Sequence, residues 1–364
     1  MIDPSFEVGS IVRKFGSCHE YLTLASACVG ALTVYFPSLL MGLILSFPLA
    51  VESAEARDEF IALGTGFEAG TYFPVGKALC EQVNRFNDAT QVRCLNYSTG
   101  GSVYNIEALA SGELDMGITQ SNLAFNAFNG VRQFEDRLPF RSLRTVMNLY
   151  DQPFTVTVHK DSGITGFSQF RGRILNIGNE GSGKRTLGEQ MLQFMGVDRS
   201  YFKDVKEYST SKQVREFCRG NIDIMIESVG VPTPLYEKVE ACGGVFLDLP
   251  AEGIAGFKGL GPFFFDYEIP VSMNANNAKP TKTIGMKIVL VSRSSVPASS
   301  IEVITRALLD EPGVFQGLHP ALSLSSADSV TQDSIHVPLH QGVVDYLSSP
   351  KGKTGRGKYD ERSR

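Results

Sequence analysis

From Phe60 onward the chain alternates short apolar runs with stretches in which apolar residues recur at helical spacing, and glycine-rich turns separate the two. Phe60–Leu63 predicts a strand, Tyr72–Phe86 a helix, Val92–Tyr97 a strand, Ser102–Ser111 a helix, Asp115–Thr119 a strand and Ser121–Phe128 a helix. The same order returns roughly 110 residues later, with Arg173–Ile177, Val205–Tyr208 and Asp223–Glu227 as strands. Lys184–Phe194, Ser211–Arg219 and Thr233–Glu240 are the helices between and after them. The junctions correspond in detail: Gly112-Glu113-Leu114-Asp115 in the first unit has its counterpart in Gly220-Asn221-Ile222-Asp223. Two βαβαβα units predict an α/β protein of two lobes, each with a mainly parallel sheet flanked by helices. Leu149–Asp161 and Thr283–Ser292 are expected to be two hinge strands between them. The boundaries that follow are 57–158 plus 287–348 for lobe 1 and 159–286 for lobe 2, with 349–364 a disordered tail.

Composition narrows the classes. An apolar fraction of 43% and a charged fraction of 20% are those of a globular protein. Thirty-four basic against 39 acidic residues, with no Lys/Arg stripe, exclude nucleic acid as the expected partner. Residues 1–56 stand apart. Tyr21–Val51 is a long apolar run preceded by Arg13 and Lys14 and followed by Ala54-Glu55-Ala56, the pattern of a signal peptide; an uncleaved anchor has the same features. Met41 opens an apolar stretch of its own, which leaves a start downstream of Met1 as a further reading. Both place the rest of the chain outside the cytoplasm, in the periplasm. There an even number of cysteines favours disulfides, Cys80 with Cys94 and Cys218 with Cys242, against the alternative of four free buried thiols. No Cys/His spacing fits a metal site, and no cofactor is expected.

Three glycine-rich loops fall where strands lead into helices, the positions at which open parallel sheets bind ligands. The candidates are Thr65, Gly66, Thr71 and Tyr72 in the first loop and Ser98, Thr99, Gly100, Gly101 and Ser102 in the second. Gly181, Ser182 and Gly183 stand in the third, with Gln120 at the end of a strand to read a second polar group. Glycine lets backbone N–H groups approach an oxyanion, and Ser and Thr add hydroxyl donors, so the set reads as a cradle for a carboxylate. Taken singly, each loop reads better as a tight turn with a helix cap; it is three in succession with donors, from two lobes, that favour binding. The third loop also carries Gly178-x-x-x-x-Gly183-Lys184, most of a phosphate-binding loop, and supports the alternative of an NTPase; Arg185 stands where the magnesium-binding hydroxyl belongs. No nucleophile–base pattern appears, so no catalytic residue is assigned and the protein is read as a non-enzyme. The histidines are scattered, Glu113 and Asp115 suit a turn, and Phe263-Phe264-Phe265 fits apolar filling better than an aromatic ligand site.

These segments resemble the TAXI family of solute receptors of tripartite ATP-independent periplasmic (TRAP) transporters. The likeness runs through Gly64–Gly76, Ser98–Ile106, Gly112–Ser121, Lys160–Ile164, Asn176–Gly183 and Val337–Gly342, and covers about residues 58–347. It implies a type II periplasmic-binding-protein fold and a monomer that captures a small acid, glutamate-like or a dicarboxylate, for membrane permease subunits. Glu180, and Glu227-Ser228-Val229-Gly230 after the seventh predicted strand, depart from the family pattern, as does Asp310–Asp333.

Overall fold

A strand inside a sheet is covered on both faces, whereas one at its edge exposes alternate residues: Met116–Gln120 is buried throughout, and Val92–Tyr97 exposes Arg93 and Tyr97. The computed structural model describes residues 58–311, 313–323, 325 and 336–350. The leader expected over 1–56 and the tail from 351 lie outside the described residues. Strands β1 (Glu59–Gly64), β2 (Val92–Tyr97) and β3 (Met116–Gln120) run parallel in the order β2-β1-β3. Helix α1 (Tyr72–Asn84) follows β1 and buries Val75, Leu79, Cys80 and Val83, a stripe at helical spacing. A short α2 (Asn87–Thr90) leads to β2, α3 (Ser102–Ser111) joins β2 to β3, and α4 (Ser121–Asn129) follows β3.

The second unit repeats this. Strand β4 (Leu143–His159) leads into it, then β5 (Ile174–Asn176), α5 (Gly183–Met195), β6 (Asp204–Lys206), α6 (Thr210–Cys218), β7 (Ile224–Ser228) and α7 (Pro234–Ala241). β5 pairs in parallel with both β6 and β7. The matched junctions do the same work in both units. Gly112 and Gly220 adopt positive φ of 83° and 73°, which glycine tolerates and other residues resist. Asp115 accepts the Ala62 N–H at 3.0 Å and returns its own N–H to the Ala62 carbonyl at 3.0 Å. Asp223 does likewise with Ile174, at 2.7 and 2.9 Å.

Among the described residues, the remaining strands and α-helices are β8 (Gly244–Leu247), α8 (Ala251–Gly259), β9 (Phe264–Ile269), β10 (Thr281–Arg293), α9 (Ala298–Leu309), α10 (Val314–Gly317) and α11 (Gln341–Ser348). β10 pairs antiparallel with β9 at its start and β3 at its end, and along most of its length with β4. β4 in turn pairs antiparallel with β7 and β8. The result corrects the expectation of two separate, mainly parallel sheets: among the described residues hydrogen bonding is continuous through eight strands in the order β2-β1-β3-β10-β4-β7-β5-β6, with β8 beside β4 and β9 beside β10, one mixed ten-stranded sheet. The expected hinge strands fall on β4 and β10, the first running two residues past the end of β4, and β4 and β10 are long enough to pair with each other and with both parallel units at once.

The expected disulfides are present: Cys80 on α1 with Cys94 on β2, and Cys218 at the end of α6 with Cys242 just past α7. Phe263 and Phe264 are buried against each other, Phe264 also against Phe257 and Phe263 against Phe125, and serve the core.

Candidate functional site

The β1–α1, β2–α3 and β5–α5 loops meet over the carboxyl ends of the parallel strands. The first two are tied by Thr65 N–H to the Tyr97 carbonyl at 3.0 Å and by Ser98 Oγ to the Gly66 carbonyl at 3.0 Å. Asn105, wholly buried on α3, gathers them from below, donating to the carbonyls of Gly64, Thr65 and Ile118 at 3.2, 2.7 and 2.8 Å. The third loop crosses from the other parallel unit: Val103 and Tyr104 N–H reach the Gly181 carbonyl at 3.0 and 3.3 Å, and Asn179 Nδ2 reaches the Gly100 carbonyl at 3.2 Å.

Between them lies a cavity of about 70 Å³. Of the residues expected from sequence, Gly66, Thr71, Tyr72, Gly100, Gly101, Ser102, Gln120, Ser182 and Gly183 line it. Thr65, Ser98, Thr99 and Gly181 stand behind that wall. The Thr65 hydroxyl is bonded to the Tyr97 carbonyl at 2.6 Å, and the Thr99 hydroxyl to the Thr65 carbonyl at 3.0 Å and Asn105 Oδ1 at 2.7 Å. Their hydroxyls hold the loops in shape.

Helices α1, α3 and α5 begin at Tyr72, Ser102 and Gly183, so three N-termini converge on this cavity. First-turn N–H groups have no intrahelical partner; those of Val103 and Tyr104 are held by the Gly181 carbonyl and that of Arg185 by Ser182 Oγ, and the aligned peptide dipoles add partial positive charge there. The Tyr72 hydroxyl lies 3.2 Å from Ser102 Oγ, and burial raises its pKa above the ordinary tyrosine value, so it presents a neutral hydroxyl. Gln120 and Gln152 point their amide nitrogens at Ser228 Oγ, at 3.4 and 2.8 Å. Their amide oxygens are buried and accept no hydrogen bond from the described residues. Such oxygens favour a ligand that also carries an N–H or O–H donor.

Lys184, Glu227, Gln152 and Ser228 were absent from the expected set. Lys184 Nζ donates to Glu227 Oε2 at 3.0 Å and to Thr210 Oγ1 at 2.9 Å, with the two charged side chains 4% and 2% exposed. Gln213 also donates to Glu227 Oε2, and Ser228 N–H to Oε1 at 3.0 Å. Burial lowers the Lys184 pKa from the ordinary lysine value, while the Glu227 charge opposes that shift. A phosphate-binding loop needs its lysine free to reach a phosphate; here the ammonium is engaged by a carboxylate within the chain. Only the apolar strand ending in an acid at Glu227 and the lysine after Gly183 hinted at the pair, and residues 43 positions apart give no local pattern.

Residues 63–348 match the model of the NMT1-like family. The periplasmic binding protein BugD superposes with a TM-score of 0.50 at 12% identity, over 83% of this chain and 97% of that one. XAC2383 from Xanthomonas citri, in a structure bound to ATP, gives 0.45 at 13% identity over 82% and 98%. At such identity the BugD likeness speaks for the fold alone, which is α/β of the type II periplasmic-binding-protein kind. With most of its length, including all three loops, inside the matched region, the chain belongs to the NMT1-like family.

Proposed function

We propose that this protein is an extracytoplasmic solute-binding receptor of a transporter, resembling the TAXI receptors of TRAP systems. It captures a small carboxylate-bearing ligand, glutamate-like or a dicarboxylate, and delivers it to membrane permease subunits without reacting with it. The observation that carries this reading is the convergence of three helix N-termini, contributed by both parallel units, on one cavity. The charged pair in its wall is engaged internally, which suits holding a ligand rather than transforming it. Two disulfides support an oxidising compartment.

In this reading lobe 1 (57–158 plus 287–348) and lobe 2 (159–286) move about β4 and β10, and a ligand that contacts both favours the closed form. Each neutral hydrogen bond contributes about 1 kcal/mol net, so several donors from both lobes are needed for micromolar affinity. A thermal-shift screen of organic acids and amino acids, followed by titration calorimetry, tests the proposal. Stabilisation by small acids, with no ATP hydrolysis in magnesium, is the expected result. Hydrolysis abolished by Lys184→Ala, or no response to any acid, would overturn it.

A further inference from the structure

Among the described residues that line the cavity between the three loops, the charged ones are Lys184 and Glu227, and each is engaged within the chain. Lys184 Nζ donates to Glu227 Oε2 at 3.0 Å and to Thr210 Oγ1 at 2.9 Å. Glu227 Oε2 also accepts from Gln213, which in turn accepts from Asn176, and Glu227 Oε1 accepts the Ser228 N–H at 3.0 Å. Opposite charges in contact act on their surroundings as a dipole, so the pair adds no net charge to the cavity. The positive field that remains comes from the helix N-termini, about half an elementary charge each, and the Gly181 carbonyl already takes up part of that at α3. Such a field balances one carboxylate. A second carboxylate would enter without a counter-charge, and an unpaired charge out of water is strongly disfavoured.

The neutral side chains of the wall point to the same ligand. Gln120 and Gln152 line the cavity, each 1% exposed, and their amide oxygens accept no hydrogen bond from the described residues. An ionised carboxylate can only accept, whereas an amide or a hydroxyl can donate to those oxygens. We infer that the Lys184–Glu227 pair determines the charge specificity of the cavity: it cancels charge there, so that the site takes an acid with one carboxylate and an uncharged, hydrogen-bond-donating far end, and rejects the corresponding dianion. This rests on the acid-binding reading given above and chooses within it. Glu227 is the deciding member, because Lys184 alone would set an ammonium beside the three N-termini and favour a dianion instead.

Matched pairs of a diacid and its half-amide, succinate with succinamate and glutarate with glutaramate, test the inference by competition at a pH where every carboxyl is ionised. The parent protein should bind each half-amide about tenfold or more tightly than its diacid, and also more tightly than the plain monoacid of the same length, which offers the glutamine oxygens no donor. Glu227→Gln, which leaves the ammonium unpaired, should reverse the order of diacid and half-amide. Lys184→Gln should widen the parent's preference, and the double variant, neutral again, should restore it. Competition between two ligands on one sample gives a ratio that does not depend on the fraction folded, and the parent's own ratio is decisive even where a single variant fails to fold. A parent that binds diacid as tightly as half-amide, a monoacid that equals the half-amide, or single variants that keep the parent's ratio would each overturn the inference and leave the acid-binding reading in place. Binding of none of these acids by the parent overturns both.

Discussion

Asn105 and the Lys184–Glu227 pair show how much of this site depends on single buried polar groups. A buried ion pair is costly to break from one side, because the remaining charge has no partner and no water. Lys184→Met and Glu227→Leu should therefore each destabilise the protein by roughly 3–5 kcal/mol, whereas the double variant should recover most of that loss. Urea unfolding midpoints measure it, and additive losses in the double variant would contradict the coupling. Gly183 is the second sensitive residue: a Cβ there would lie 2.5 Å from Gln120 Oε1. Gly183→Ala should displace the Gln120 amide and weaken acid binding by about tenfold or more, with little change in melting temperature. Sequence patterns found the glycines because turns and close approaches demand that residue type. They did not find Asn105, because nothing local marks an asparagine that will serve three carbonyls from two strands.

Elements were legible where the hydrophobic period repeats. β2 and α3 lie at the expected residues, and the other strands and helices of both βαβαβα units fall within a few positions of expectation. The stretch after α7 carries no repeat, so β8, α8, β9 and the C-terminal helices went unassigned, although β10 was anticipated as a hinge strand. The disulfides belong to this scale too, since each closes a short loop between neighbouring elements, with sequence separations of 14 and 24. Closing loops of that size contributes roughly 3 kcal/mol in the chain-entropy account. The two differ in access, because Cys80 and Cys94 are buried whereas Cys218 is exposed. Mild reductant followed by alkylation and peptide mass mapping should label Cys218 and Cys242 first and leave Cys80 and Cys94 protected until the fold opens. Simultaneous labelling of all four would show that access does not set the order.

At the scale of the whole molecule, continuity of the sheet was hidden from the sequence, since pairing between β4 and β10 joins segments far apart in the chain. The C-terminal stretch fastens onto that junction: Thr145 N–H on β4 donates to the Pro338 carbonyl and His340 N–H to the Thr145 carbonyl, both at 2.9 Å. Three histidines sit on this stretch, His319, His336 and His340, and burial lowers the pKa of each from 6.5. For His340, Arg144 lowers the pKa further, while the Arg293 and Val296 backbone and Asp345 oppose that shift. Two of the rings act as caps in the unprotonated form, His319 Nδ1 accepting the Ala321 N–H at 3.1 Å and His340 Nδ1 the Gly342 N–H at 3.2 Å. Because the folded pKa values lie below the unfolded one, the unfolded chain binds more protons over that interval. Stability should therefore be unaffected by these groups above about pH 6.5 and fall as the pH drops through their folded values. Asparagine accepts the same cap bond without titrating, so His319→Asn with His340→Asn should flatten the loss of stability between about pH 7 and about pH 5. Urea midpoints across that range compare the variant with the parent chain, which cancels carboxylate contributions common to both. An unchanged slope would show that the acid sensitivity of the fold lies outside this C-terminal clasp.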